Sequence, residues 1–241
     1  MEMDGYPRRG YQLDNKTVLE NKTKIIQDSV KEDYLLCAEC ENYLGVIEHL
    51  ASPTFLNIEK DLKEKKIEIE EIKDVLDLIY FVNSNPIVIR LFVYSLFWRV
   101  SISNDSLFEE YKIKEPFQEE LRAAILRYKS SKKWDLIHLT NSDHSISIFP
   151  FYMMTAKIFE NSTSNVLFAP YSFDPYCLIV DRFSFMLFRA EEDMKIDFIR
   201  GLSNTHINDC RMARVSQELW QNLMVKMPFE KIIENAKANK E

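Results

Sequence analysis

Glycine is scarce, with four residues in 241. That scarcity argues against folds built on many tight glycine turns and against glycine-rich phosphate loops. Cysteine is equally sparse: Cys37, Cys40, Cys177 and Cys210, with a single Cys-x-x-Cys pair. The first ten residues contain no apolar leader, so the cysteines read as reduced thiols or metal ligands and not as a disulfide framework. The four histidines are His49, His138, His144 and His206, and none stands beside a Ser or Cys nucleophile in a recognisable motif. Basic charge is not in excess. The net charge is -7, so any nucleic-acid contact needs a local patch. The basic clusters at Arg8–Arg9, Lys129 to Lys133, and Arg211 with Arg214 read as solvated faces. The longest apolar run, Ile87 to Val100, is interrupted by Arg90 and Arg99 and is too short to span a bilayer. The expectation is a cytoplasmic protein without a membrane segment.

What is present is an ordinary globular composition, 46% hydrophobic and 29% charged, with ample material for a core. Residues 1–30 are polar and broken by Gly5, Pro7 and Gly10. Residues 31–132 read as a helical region. Tyr43, Leu44, Ile47 and Leu50 share one helical face, and Ser52-Pro53 interrupts or ends that helix. Lys60 to Glu71 is a charge run that reads as a solvated loop and helix start. Ile72 to Tyr80 and Pro86 to Val100 read as helices, the second apolar round most of its circumference and therefore central. Pro86 suits its first turn, with Asn83 or Asn85 as cap. Pro116 to Lys129 is amphipathic, with Phe117, Leu121, Ala124, Ile125 and Tyr128 inward.

Residues 133–241 change period. Leu136–Thr140, Ser145–Phe149, Tyr152–Phe159, Val166–Tyr171, Tyr176–Asp181 and Ser184–Arg189 are rich in β-branched and aromatic residues and are predicted as strands. Short turn-forming connections between them favour an antiparallel meander. A helix is predicted over about Asp209 to Lys226. The fold class is α+β: a helical N-terminal half carrying half a zinc knuckle, then a small antiparallel sheet and a C-terminal helix.

Cys37-Ala38-Glu39-Cys40 carries the chemistry. Two residues between thiolates let both sulfurs reach one tetrahedral ion from a single turn, and a helix start stabilises negative sulfur. Zinc needs four ligands. His206 and Cys210, four apart, would complete a Cys3His site with Cys37 and Cys40 if their segment were helical. Two free thiols at a helix start, and a redox pair, are the other readings of the motif. Glu39 and Glu41 either tune such a site or are solvated acids of the first turn. Cys177 reads as core. Trp98 and Arg99 read either as a pocket wall with a phosphate- or carboxylate-binding cation, or as a core indole with a structural cation.

Leu35-Leu36-Cys37-Ala38-Glu39-Cys40-Glu41-Asn42, taken with Leu96-Phe97-Trp98-Arg99-Val100-Ser101, resembles the second knuckle and a following Trp-Arg-x-Ser-like segment of treble-clef bacterial proteins related to HNH endonucleases. The resemblance covers about residues 30–130. It implies zinc, a β-rich C-terminal region, a nucleic-acid or protein partner, and a setting in phage defence. It also implies an earlier Cys-x-x-Cys and a catalytic histidine, yet no cysteine or histidine precedes Cys37. The expectation is therefore a non-catalytic or incomplete HNH-like protein acting as a binding or interaction module. The alternatives are a metal-dependent nuclease whose catalytic half lies upstream or on a partner, and a metal-free structural interaction protein.

Overall fold

Helical and two-residue periodicities divide the chain into alternating elements. The structure, a computed structural model, describes residues 10–12, 24–26, 35–72, 76–105, 108–109, 111–138, 146–157, 165–168, 175–180, 182–195 and 197–222. In chain order the elements are β1 (Gly10–Gln12), β2 (Lys24–Ile26), α1 (Ala38–Leu56), α2 (Ile58–Lys63), β3 (Glu68–Ile72), β4 (Leu76–Tyr80), α3 (Pro86–Ile102), α4 (Phe117–Leu126), α5 (Lys133–Ile137), β5 (Phe151–Ala156), β6 (Asn165–Phe168), β7 (Tyr176–Val180), β8 (Phe183–Leu187), α6 (Asp197–Leu202), β9 (Arg211–Val215) and α7 (Gln217–Trp220).

The strands form one nine-stranded sheet in the order β2-β1-β6-β7-β8-β5-β9-β4-β3. Most neighbours are antiparallel; β1 with β6 and β5 with β9 are parallel. Side-chain alternation gives the sheet two apolar faces. Phe151 and Met153 of β5, Leu178 of β7, Phe185 of β8 and Met212 of β9 join the core beneath the long helices. Tyr152, Met154 and Ala156 of β5, with Leu78 and Ala213, point the other way onto Met194, Leu202 and Trp220. That second face is covered by α6 and α7, which contact β9 and β5.

Helix α3 is the centre of the larger core. It touches α1, α4 and β8 and buries residues around its whole circumference, with Ile87, Leu91, Val93, Tyr94 and Phe97 wholly inaccessible. Each such aliphatic or aromatic side chain contributes about 1.5–3 kcal/mol by leaving water. Pro86 occupies its first turn, and Asn85 caps it: Oδ1 accepts from the Ile87 and Val88 N–H groups at 2.9 and 3.2 Å. The inward face predicted for α4 is buried at all five positions.

Several expectations need correction. The helix expected over Ile72 to Tyr80 is strand at its described positions: Ile72 ends β3 and Leu76–Tyr80 is β4, the two pair antiparallel, and β4 pairs β9 on its other side. Leu76 and Leu78 face one core and Ile79 the other, a period-2 pattern that the sheet reads and a helix would waste. The sheet is thus larger than expected and draws β1 to β4 from ahead of residue 133. Residues 133–137, expected to lead into a strand, are helical. Residues 146–149 lie outside the sheet. There Tyr94 Oη accepts from the Phe149 N–H at 2.6 Å and donates to its carbonyl at 2.8 Å, supplying the partners a neighbouring strand would have offered. Asp209 onward enters β9, not a helix, and the helix that follows is the short α7; Leu223 to Lys226 lie outside the described residues. Finally, α1 runs through Pro53 to Leu56, so that proline does not end it.

Candidate functional site

Cys37 is the cap residue of α1, its backbone extended at φ -71° and ψ 154°, and Cys40 lies in the first turn. Glu39 and Glu41 place carboxylates beside the positive end of the helix, which favours the helix start. Tyr43 Oη donates to the Ile125 carbonyl at 2.7 Å and binds α1 to the end of α4. That contact brings Lys129, just beyond α4, to the thiols. Its Nζ stands 3.1 Å from Glu39 Oε2, which holds the ammonium beside the first turn that carries Cys40.

The two sulfurs are unequal. Cys37 is exposed and Cys40 half-buried. The neighbouring Cys40 backbone amide, then the Cys40 thiol, hold the pKa of Cys37 below the ordinary thiol value, helped by the charge of Lys129. Burial, then the Cys37 side chain, push Cys40 upward. The arrangement is an accessible thiol of lowered pKa beside a more shielded one of raised pKa. Lys129 itself is raised, first by Glu39 and then by Cys40.

The structure brings Cys37 and Cys40 together but not His206 and Cys210. Cys210 is buried, and its carbonyl accepts from the Phe81 N–H at 2.9 Å. The Phe81 ring is 6.5 Å from that of Phe55, near the C-terminal end of α1. Cys37 is at the other end, roughly 25 Å of helix away. His206 and Cys210 are not on a helix. Their segment is a loop organised by Asp209, whose Oδ2 accepts from the Thr205 and His206 N–H groups at 2.9 and 2.8 Å. Among the described residues, no group of three or more His, Cys, Asp or Glu side chains is placed to hold a metal ion. Two sulfurs fill half of a tetrahedral zinc shell, so the gathered residues do not by themselves fit that ion.

Trp98 is a core residue, 5% exposed. Arg99 pairs with Glu48 of α1 at 2.6 Å, and its Nε donates to the Ser95 carbonyl at 3.3 Å. Arg99 thus joins α3 to α1, while Trp98 packs into the core. His49 and His138 are exposed, and His144 lies outside the described residues.

Three features escaped the sequence reading. Arg90 is wholly buried on α3: Nη1 donates to Tyr94 Oη and the Phe149 carbonyl, both at 3.2 Å, Nη2 donates to the His206 carbonyl at 2.6 Å, and the guanidinium lies 5.0 Å from the Phe151 ring centre. Its interruption of an apolar run was the one available signal. Asp77 is buried between Lys157 Nζ at 2.8 Å and Arg214 Nε at 3.4 Å, a pairing that needs the register of β4 against β9. The third feature is β3. It ends the sheet, pairs only β4 among the described residues, and exposes Glu68, Ile69, Glu70 and Glu71 along its length. Tyr80 Oη donates to Glu70 Oε2 at 2.6 Å and steadies the strand from its neighbour.

A cleft of about 320 Å³ lies between α1, α2 and the start of α3, lined by Thr54, Asn57, Asp61, Asn83, Ser84 and Asn85 beside Leu50 and Val88. Asn85 already caps the helix end that faces it. No family model, no curated protein and no solved structure matches the chain.

Proposed function

We propose that this chain is an interaction module that binds an extended basic segment of a partner protein along β3. The observation that carries this reading is the acidic edge: a five-residue strand that, among the described residues, pairs on one side only and exposes Glu68, Glu70 and Glu71, with Ile69 46% exposed among them. An edge strand offers alternate N–H and C=O groups to an incoming strand, and its side chains decide which strand is admitted. Acidic side chains repel a second copy of the same edge and favour lysine and arginine. They also disfavour nucleic-acid phosphates, as does the net charge of -7. The resemblance to HNH-like proteins rests on one knuckle and the Trp98-Arg99 segment, and it lacks the catalytic histidine that phosphodiester chemistry would need.

The test is fluorescence anisotropy with a labelled ten-residue Lys/Val peptide. Saturable binding is expected, weakened by salt, by Glu68→Lys with Glu71→Lys, and by replacing the peptide's lysines with glutamates. A peptide N-methylated at alternate amides keeps its charge but cannot pair as a strand, so its binding should be lost. Equal binding of the N-methylated peptide, or no binding of the parent, would refute strand pairing.

A further inference from the structure

We infer that Cys37 and Cys40 form a reversible intramolecular dithiol–disulfide couple on the surface of the chain, with external disulfides as the substrate class. The inference is independent of the strand-docking reading, because the pair stands at the start of α1 and not on β3.

Three observations carry it. The residues are three apart at a helix start, where side chains of such spacing are neighbours at about 5–6 Å between Cβ atoms. A disulfide needs about 3.5–4.5 Å between them, a modest approach from that spacing. Cys37, as the cap, has extended backbone outside the helix, so a small rotation there closes the gap without disturbing a helical hydrogen bond made by its own N–H. Access is one-sided as well: Cys37 is exposed and Cys40 half-buried beneath it, so an external disulfide meets Cys37 first. Lys129, held by Glu39, which lies between the two cysteines in sequence, puts a positive charge near sulfur at the moment negative charge develops there.

The chemistry balances as two exchanges. The Cys37 thiolate attacks one sulfur of R–S–S–R; a Cys37–S–S–R bond forms, the R–S–S–R bond breaks, and R–S⁻ leaves. Cys40 then yields its proton to solvent and attacks the Cys37 sulfur. The protein disulfide forms as the second R–S⁻ leaves, and both leaving thiolates take up a proton. Two protein thiols are oxidised, and one external disulfide is reduced to two thiols. Lys129 is a positioning residue in this scheme.

The test uses the full reduced chain with glutathione disulfide as probe, read by intact mass and peptide mapping, with circular dichroism to verify folding. The wild type should lose two hydrogens, map to a Cys37–Cys40 bond, and retain no glutathione. Cys40→Ser should stop at one glutathione on Cys37. Cys37→Ser should react far more slowly, since only the half-buried sulfur remains. Lys129→Met should slow the first exchange several-fold, and Lys129→Arg should restore it; a merely structural role would move neither rate. Glutathione retained on the wild type without closure, a bond mapped to another cysteine, or a Cys37→Ser rate equal to wild type would each overturn the inference.

Discussion

At the scale of single residues, burial assigns the four cysteines to two classes. Cys37 and Cys40 sit at a surface helix start, whereas burial pushes Cys177 up to about 11 and Cys210 up to about 12, from an ordinary value of 9.0. For Cys210 the charge of Arg90 opposes that shift and Asp209 adds to it. These raised values have a consequence for stability. Above the ordinary thiol value an unfolded chain sheds protons that the folded chain keeps, so pH rise favours unfolding. The contribution of each thiol is complete below about pH 9 and lost as pH climbs toward its folded value, at about 1.4 kcal/mol per pH unit. The buried hydroxyls of Tyr94 and Tyr111, also raised by desolvation, act in the same direction at higher pH. Urea unfolding should therefore show a lower midpoint at pH 10.5 than at pH 8. Cys177→Ala with Cys210→Ala should flatten that dependence while lowering stability at pH 8; an unchanged pH slope in the double variant would contradict the assignment. The Cys-x-x-Cys motif itself was legible, because cap position and spacing are local properties. Its neighbour Lys129 was not, because a contact between the start of α1 and the end of α4 depends on how the helices pack.

At the scale of elements, legibility followed how much of the signal was local. Helix α3 declares itself through a proline at its start, an asparagine cap and continuous apolarity. Strands β5, β7 and β8 are apolar enough that no other state competes. Among the strands, β3, β4 and β9 were missed. Glu68 to Ile72 is charged and β9 holds two arginines, so their propensities are weak and pairing across the sheet decides them. The predicted ligand pair His206 and Cys210 failed with β9, since a helix there was the condition for their sharing a face. What fixes that segment is Arg90, whose guanidinium donates from α3 into the His206 and Phe149 carbonyls. Arg90→Ala would take one donor from each carbonyl, leaving Tyr94 Oη on Phe149 and the Asp209 N–H on His206, and would open a cavity, costing about 2–5 kcal/mol. Arg90→Met, which keeps volume and removes the charge, should cost less. Thermal and urea unfolding read both, and an alanine variant within about 1 kcal/mol of wild type would show that the clamp is dispensable.

At the scale of the whole molecule, the sheet ties together parts of the chain that look separate in sequence. The antiparallel pair β3–β4, from the stretch expected to be helical, pairs β9, from the stretch expected to be the C-terminal helix, and β9 pairs β5 in parallel. Trp98 and Arg90 face inward as parts of that assembly, and half-buried Arg99 ties α3 to α1 through Glu48. Among the described residues, the thiol pair at the start of α1 and the acidic edge at β3 are surface features that the proposals above put to use. Hydrogen–deuterium exchange of the reduced chain, with and without saturating Lys/Val peptide, tests the edge most directly. Protection confined to Glu68–Ile72, with the start of α1 unchanged, is the predicted result. Protection elsewhere, or no change at β3 when the peptide is bound, would contradict the account.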